Sequence, residues 1–373
     1  MNEFQEILIK IAQFAPDEKA ILATVVDVVG SGYRRPGARM LIDKSGFSIG
    51  TVSGGCLEAD VLERAKKVLE TDEPIVITYD TTADENSVFG LSMGCRGIVR
   101  VLLEAVTQES LIFSVLRNAL EKPQKQIIAT LISTEDNTPI GTRIFYNQRC
   151  EFDDRNLPDN FKTLSLDDNW SALFDAKENS FNKTYQTESG KREFFVEKIN
   201  PPLSLLLFGA GFDALPLIRL AKELGWRVTT IDHRGAYNNA ERIAAADEII
   251  VSGSEDLKES LFNDENSVAV VMTHNYDRDR NILRRLLHSK CLYIGALGPK
   301  KRTEKLLEEI GETFTDEQLR RLHAPVGLDI GADTPEEIAL AIVAEIRTVL
   351  SGRNGGFLRE RKGSIYNARL TAR

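Results

Sequence analysis

The sequence predicts an α/β protein in two parts, an N-terminal α+β domain followed by a C-terminal Rossmann-like, doubly wound parallel sheet. Three observations carry this. Up to about residue 200, short apolar runs are separated by glycine loops; from Leu203 onward strand and helix patterns take turns; and a glycine-rich turn stands at the first strand-to-helix junction of the alternating part. A length of 373 residues is enough for two or three domains with their own cores. The 42% hydrophobic and 28% charged content is that of a folded globular chain. A net charge of -9, spread along the sequence, argues against a nucleic-acid partner. No apolar run reaches membrane-spanning length. The cysteines Cys56, Cys95, Cys150 and Cys291 form no CxxC pair, so no zinc knuckle or iron–sulfur run is visible and a reducing, cytoplasmic compartment is expected.

The opening residues place Phe4, Ile7, Leu8 and Ile11 at the spacing of an amphipathic helix rather than a signal peptide. ILATVVDVVG, ARMLID and IVRVLLEAV read as strands, with a helix from Leu57 to Leu69. The segment 127–146 echoes 21–42 at an offset of 104 to 106 and keeps Ala129, Thr130, Gly141 and Arg143. The first domain, 1–200, is therefore expected to contain a degenerate internal repeat over 127–197. Cys150 to Gly190 is polar and aperiodic and reads as loops and short elements, before a junction at Asn200-Pro201-Pro202. The second domain, 201–352, reads as strand SLLLF, helix Leu215 to Leu224, strands RVTTI and EIIV, a helix near Glu255 to Leu261, strand SVAVVM, helix Asp277 to Leu287 and strand CLYIG. Its last helix has a cap at Thr334, Pro335 at the first helical position and Glu337 closing a capping box. Residues 353–373 form a basic tail, six Lys/Arg against one Glu, read as a partly ordered terminus.

Gly209-Ala210-Gly211-Phe212-Asp213-Ala214 follows a strand and opens a helix, the context in which G-x-G-x-x-A signals a phosphate cradle. Asp232 ends the next strand, where an acid can accept hydrogen bonds from a ribose. The other reading is that the glycines simply pack a strand against a helix. His233 and Arg234, Thr273 and His274, and the Gly298 to Lys300 turn stand at strand ends that should converge on one crevice. His274 could do chemistry or hydrogen-bond the backbone; Lys300, Lys301 and Arg302 could hold a phosphate or cap a solvated helix start. In the first domain, Gly54-Gly55-Cys56 puts a cysteine where a glycine turn enters a helix, and dipole and free amides there favour a thiolate. Cys56 is a candidate soft ligand or sulfur nucleophile, with a small buried hydrophobe as the alternative. Cys95, flanked by Gly94 and Arg96, repeats the theme, and Arg34 and Arg35 make a basic turn suited to an anion or to solvent. The first half contains no histidine, which lowers a cysteine–histidine hydrolase.

The segments ATVVDVVGSGYRRPGARMLID, GTVSGGCLEADVLERA and YDTTADENSVFGLSMGCRGIVRVLLE strongly resemble the amino-terminal domain of the XdhC/CoxI family. LLLFGAGFDALPLIRLAKELGWRVTTIDHR, MTHNYDRD, YIGALGPKKR and HAPVGLDIGADTPEEIALAIVAEI resemble its Rossmann domain, so the likeness covers most of the chain outside roughly 105 to 200. The resemblance implies a cofactor-binding chaperone rather than a catalyst, a xanthine dehydrogenase accessory factor. Such a protein would bind the molybdenum cofactor as cargo, favour exchange of an oxo for a sulfido ligand with a cysteine desulfurase, and deliver the cofactor to a molybdenum hydroxylase apoenzyme. The family's two loop cysteines match Cys56 and Cys95, with Cys56 as the contact to the molybdenum cofactor. Arg96 departs from the uncharged residue that relatives often carry there. Loops that each look like half a site lead us to expect a homodimer. An NAD(P)-dependent oxidoreductase is the rival reading, with the glycine loop in its favour and no obvious catalytic partner. A xanthine dehydrogenase subunit is kept only as an ambiguity of naming.

Overall fold

The computed structural model describes residues 3–30, 32–80, 97–121, 124–147, 152–153, 172–174, 176 and 178–362. These fall into two compact units, the first ending at Pro201 and the second starting at Pro202.

The first unit opens with helix α1 (Glu3–Ile11) and continues through β1 (Ala20–Gly30), β2 (Arg39–Ile42), β3 (Ser48–Gly50), helix α2 (Glu58–Thr71), β4 (Ile75–Asp80) and β5 (Gly97–Val106). These strands make an antiparallel sheet in the order β3-β2-β1-β5-β4. After helix α3 (Leu111–Glu121) come β6 (Gln126–Thr134), β7 (Arg143–Asn147), β8 (Phe152–Asp153), β9 (Ser180–Thr187) and β10 (Gly190–Ile199), in the order β8-β7-β6-β10-β9. The second sheet thus repeats the first with every strand number raised by five. Register repeats as well: Thr24 faces Arg39 in the first hairpin and Thr130 faces Arg143 in the second. The turn bond from the Gly37 amide to the Val25 carbonyl (2.8 Å) recurs from Gly141 to Leu131 (2.9 Å).

Strand β1 is apolar on both faces because both are covered. Ile21, Ala23 and Val25 pack under Val61, Ala65 and Val68 of α2, whereas Leu22 packs with Ile7 and Ile11 of α1 and Phe113 and Leu116 of α3. Val26 and Leu102 of the first sheet meet Ile132 and Phe195 of the second. Around this seam, Arg39 of β2 pairs with Glu197 of β10 and Arg143 of β7 pairs with Glu104 of β5, while Arg100 and Glu193 pair at 2.8 Å.

Two departures from the sequence reading fall here. The stretch read as loops and short elements contains strand β9, an edge strand whose Phe181 and Tyr185 pack on the core while Thr184 and Gln186 are exposed. Alternation this polar hides a strand until its partner is known. Helix α3 also went unanticipated; Ile112, Phe113, Val115, Leu116 and Ala119 are all buried, so its apolar face is broad.

In the second unit all strands run parallel: β11 (Ser204–Phe208), β12 (Arg227–Asp232), β13 (Glu248–Val251), β14 (Ser267–Val271), β15 (Tyr293–Ala296) and β16 (Leu322–His323). Their order, β13-β12-β11-β14-β15-β16, is the doubly wound arrangement, with its switch point between β11 and β14. Helices α4 (Ala214–Glu223) and α8 (Pro335–Ser351) cover Leu205, Leu207, Val268 and Val270 on one face. Helices α5 (Tyr276–Leu287) and α6 (Lys300–Ile310) cover Leu206, Phe208, Ala269 and Val271 on the other, and a short α7 (Asp316–Arg320) precedes β16. The capping box of Thr334 and Glu337 with Pro335 forms as the sequence predicts. The helix expected near Glu255 to Leu261 does not: only a single 3-10 turn, Glu259–Phe262, is present. Leu257 and Phe262, five residues apart, both reach the core, a spacing that one α-helical face does not provide. Among the described residues no helix is long and apolar enough to cross a membrane.

Candidate functional sites

The loop between β3 and α2 carries Cys56, whose thiol is free and exposed. Its backbone is organised by Glu58, the first residue of α2. One carboxylate oxygen accepts amide hydrogens from Val52 (3.2 Å), Ser53 (2.9 Å) and Gly54 (3.1 Å); the other accepts from Gly55 (2.8 Å) and Leu57 (3.2 Å). The hydroxyls of Thr51 and Ser53 donate to the same group. Burial pushes this carboxyl up, but the hydroxyl and amide donors outweigh it and hold it at about 2. The free amides that the sequence reading assigned to a thiolate are therefore bonded to Glu58. Gly54, at φ +85, lies so close beneath Tyr33 that a Cβ would come within 2.6 Å of its ring. Glu3 of α1 accepts both the Thr51 amide and the Arg34 guanidinium, joining the cysteine loop to the basic turn. Arg35 lies in that turn, its carbonyl accepting the Ala38 amide at 3.0 Å. Cys95 lies outside the described residues. Sequence reasoning passed over Glu3 and Glu58; for Glu58 the available signal was an acid placed just after a glycine pair, at a helix start.

The glycine loop of the second unit stands at the switch point, between β11 and α4. Gly209 has φ +115, and a Cβ there would lie 2.4 Å from the Met272 carbonyl oxygen. At Gly211 a Cβ would meet only the Asp213 side chain, at 2.3 Å, which leaves the backbone approachable from the crevice. Asp232 is buried at the end of β12 with its acceptors filled. Oδ1 accepts from the Arg234 amide (2.9 Å) and Nε (3.0 Å) and lies 3.0 Å from His233 Nδ1. Oδ2 accepts from the Ala210 amide (2.9 Å) and Arg234 Nη2 (2.7 Å). Burial raises this carboxyl, yet Arg234 and the two amides hold it down at about 2. Beyond it, the Arg234 guanidinium lies 4.5 Å over the Tyr237 ring, and Arg242 lies 4.7 Å over Tyr237 and 4.3 Å over Phe212. Tyr237 and Arg242 were absent from the sequence-derived set, because nothing local marks a loop aromatic as part of a crevice.

Across the switch point, His274 adopts a left-handed backbone (φ 57) and its Nε2 lies 2.6 Å from Asp213 Oδ2. Thr273 donates to the buried Asp279, which also accepts Arg302 Nη1 at 2.7 Å. Arg302 is thereby held in the fold, while Lys300 sits exposed at the first position of α6, 3.9 Å from Glu304. Gly298 precedes it at φ +121. A shallow cleft is lined by Asp232, His233, Ser252, Thr273 and Arg278. His233, Thr273, His274 and the glycine loop thus belong to one strand-end region.

Two antiparallel sheets of the same strand order with an exposed cysteine in a glycine turn, followed by a Rossmann sheet with a glycine loop at its switch point, define a two-unit α/β protein. The chain belongs to the XdhC and CoxI family: residues 14–80 match the XdhC and CoxI family model, and residues 205–346 match the XdhC Rossmann domain. It is 34% identical over 330 residues to a probable xanthine dehydrogenase subunit of Bacillus subtilis, covering 88% of this chain and 92% of that protein. It is 23% identical over 332 residues to the molybdenum cofactor insertion chaperone PaoD of Escherichia coli, covering 88% and 83%. Its fold superposes with a TM-score of 0.75 on a crystal structure of a xanthine dehydrogenase from Bacillus halodurans, at 29% identity, covering 95% of this chain and 97% of that one.

Proposed function

We propose that the protein is an accessory factor of a molybdenum hydroxylase of the xanthine dehydrogenase class, which takes the molybdenum cofactor as cargo, supports its sulfuration with a cysteine desulfurase and hands it to the apoenzyme. Family membership and the name of the Escherichia coli relative support the accessory role. The observation that carries it in this chain is the exposed Cys56 thiol on a loop whose backbone Glu58 fixes. Sulfur is the donor a molybdenum centre prefers among the side chains of that loop. A loop held by an internal carboxylate presents that sulfur without rearranging, which limits the entropy lost on binding. In the second unit, Gly209, Gly211 and the start of α4 supply a cradle for a phosphate group. Their presence also favours the second reading, an NAD(P)-dependent oxidoreductase.

Protein made in cells competent for cofactor synthesis tests this, with bound molybdenum and the fluorescence of the released pterin as readouts. Cys56→Ser keeps size and polarity but removes the soft sulfur. It is expected to fold normally, retain much less cofactor, and leave the partner hydroxylase assembled but lacking its sulfido ligand. If Cys95→Ser shows that loss and Cys56→Ser does not, the role moves to Cys95. If neither does, the thiolate mechanism fails.

A further inference from the structure

The strand-end region of the second unit contains more positive charge than its acids use. Asp232 is neutralised by Arg234, and Asp213 faces His274. Arg242 keeps its charge: its guanidinium is pressed against Phe212 and Tyr237, and its Nη2 is buried without a hydrogen-bond partner. Among the described residues no carboxylate pairs with Arg242, and the rest of this partly exposed guanidinium is left to meet an anion. The loop that carries this group is fixed. Asn238 is buried, accepts the Thr230 hydroxyl at 2.7 Å and donates to the Ile250 carbonyl at 2.8 Å, which clamps residues 234–242 onto β12 and β13. The Tyr237 and Asn238 amides both close on the Arg234 carbonyl. Arg234, Tyr237, Arg242 and Phe212 therefore form a stacked row of alternating cations and rings, and Phe212 is three-quarters exposed at its open end.

An acid at this strand end selects a bare ribose only if its oxygens are free to accept the two ribose hydroxyls. The oxygens of Asp232 already meet five donors, and a carboxylate offers about four lone-pair sites. Arg234 uses Nε and Nη2 on that acid, and its side chain remains about a third exposed, so the guanidinium rather than the carboxylate meets whatever lies beyond the glycine loop. We propose that Arg234, Arg242, Tyr237 and Phe212 form a subsite for a phosphorylated ribose, so that the second unit takes a 2′-phosphorylated dinucleotide, NADP(H), in preference to NAD(H). The guanidinium groups supply charge-assisted bonds to the monoester dianion, and the rings supply a plane on which a base can stack. The inference rests on the glycine loop being a phosphate cradle and goes beyond it by naming what else the ligand carries.

Calorimetric titration of the full-length protein with NADP⁺, NAD⁺, 2′,5′-ADP, 5′-AMP and inorganic phosphate decides it. NADP⁺ and 2′,5′-ADP are expected to bind roughly 10- to 100-fold more tightly than NAD⁺ and 5′-AMP, the size of one or two bonds to a charged group. Arg242→Gln, which leaves the Asp232–Arg234 pair in place, is expected to move NADP⁺ most of the way to the NAD⁺ value; Arg234→Gln is the second variant. Equal or tighter binding of NAD⁺, binding of free phosphate as tight as that of 2′,5′-ADP, or no nucleotide binding overturns the proposal. Molybdenum retention measured on the same preparations keeps the two ideas apart. Loss of the NADP⁺ preference with cofactor retained removes this subsite alone, and the converse removes the accessory reading alone.

Discussion

Arg39 and Glu197 form an ion pair in which both side chains are 5% exposed, tying the first sheet of the duplicated unit to the second. Arg143 and Glu104 do the same in the opposite sense, and each arginine also donates to the carbonyl of the glycine two residues before it. The repeat is thus locked by two equivalent contacts. Removing one partner leaves the other charge buried. Glu197→Ala is expected to lower the stability of the first unit by about 3–5 kcal/mol, and the double replacement Arg39→Met with Glu197→Leu by much less. Urea denaturation followed by near-ultraviolet circular dichroism checks both; a single variant as stable as wild type would show that the pair does not hold the sheets together.

Glu58 has a direction in pH. Its folded carboxyl sits at about 2, below the ordinary value of 4.5, so it binds fewer protons folded than unfolded. Its contribution to stability is present above about pH 4.5 and is lost as the pH falls toward 2. Glu58→Gln is expected to flatten that acid limb and to speed alkylation of Cys56 by iodoacetamide at neutral pH, because only one of the two oxygens that hold the loop amides remains an acceptor. Identical acid denaturation curves for the two proteins would contradict the role given to Glu58.

The two loop glycines do different work, and alanine separates them. Gly209→Ala puts a methyl 2.4 Å from the backbone of Met272 at a positive φ, so a large loss of stability, about 2 kcal/mol or more, is expected. Gly211→Ala displaces only the Asp213 side chain and is expected to fold. Gly211→Val is expected to fold as well, with nucleotide affinity reduced at least tenfold by the side chain entering the phosphate space. Thermal melts with and without nucleotide distinguish the two positions.

His323 lies stacked on Tyr293 with ring centroids 4.4 Å apart. Burial pushes its pKa below the ordinary value and outweighs the nearby Glu345 carboxylate, which raises it. The folded state therefore resists protonation. Stability is full above about pH 6.5 and falls as the pH drops from there through the lower folded value. His323→Phe preserves the stack and is expected to shrink the difference in urea midpoint between pH 8 and pH 5. An unchanged difference would place the pH dependence elsewhere.

The second unit was largely legible along the chain because its determinants are local. A buried parallel strand, a glycine turn, a helix start and an acid at the next strand end follow one another within thirty residues, and the Thr334 capping box lies within four. The polar edge strand Ser180–Thr187 was not legible, since its apolar residues gain meaning only from the partner they face across Gly190. Composition and motif also placed Cys56 on a glycine turn at a helix start. What they could not fix was the identity of each polar group's partner, and that decides the chemistry. Local hydrogen bonding turned Glu58 back onto the amides of its own loop and Arg234 onto Asp232, while tertiary packing brought the Ala210 amide to that same acid and pressed Arg242 against two rings. Hydrogen bonds have short range and saturate, so whether a carboxylate is an open acceptor or a closed one depends on atoms brought together by the fold.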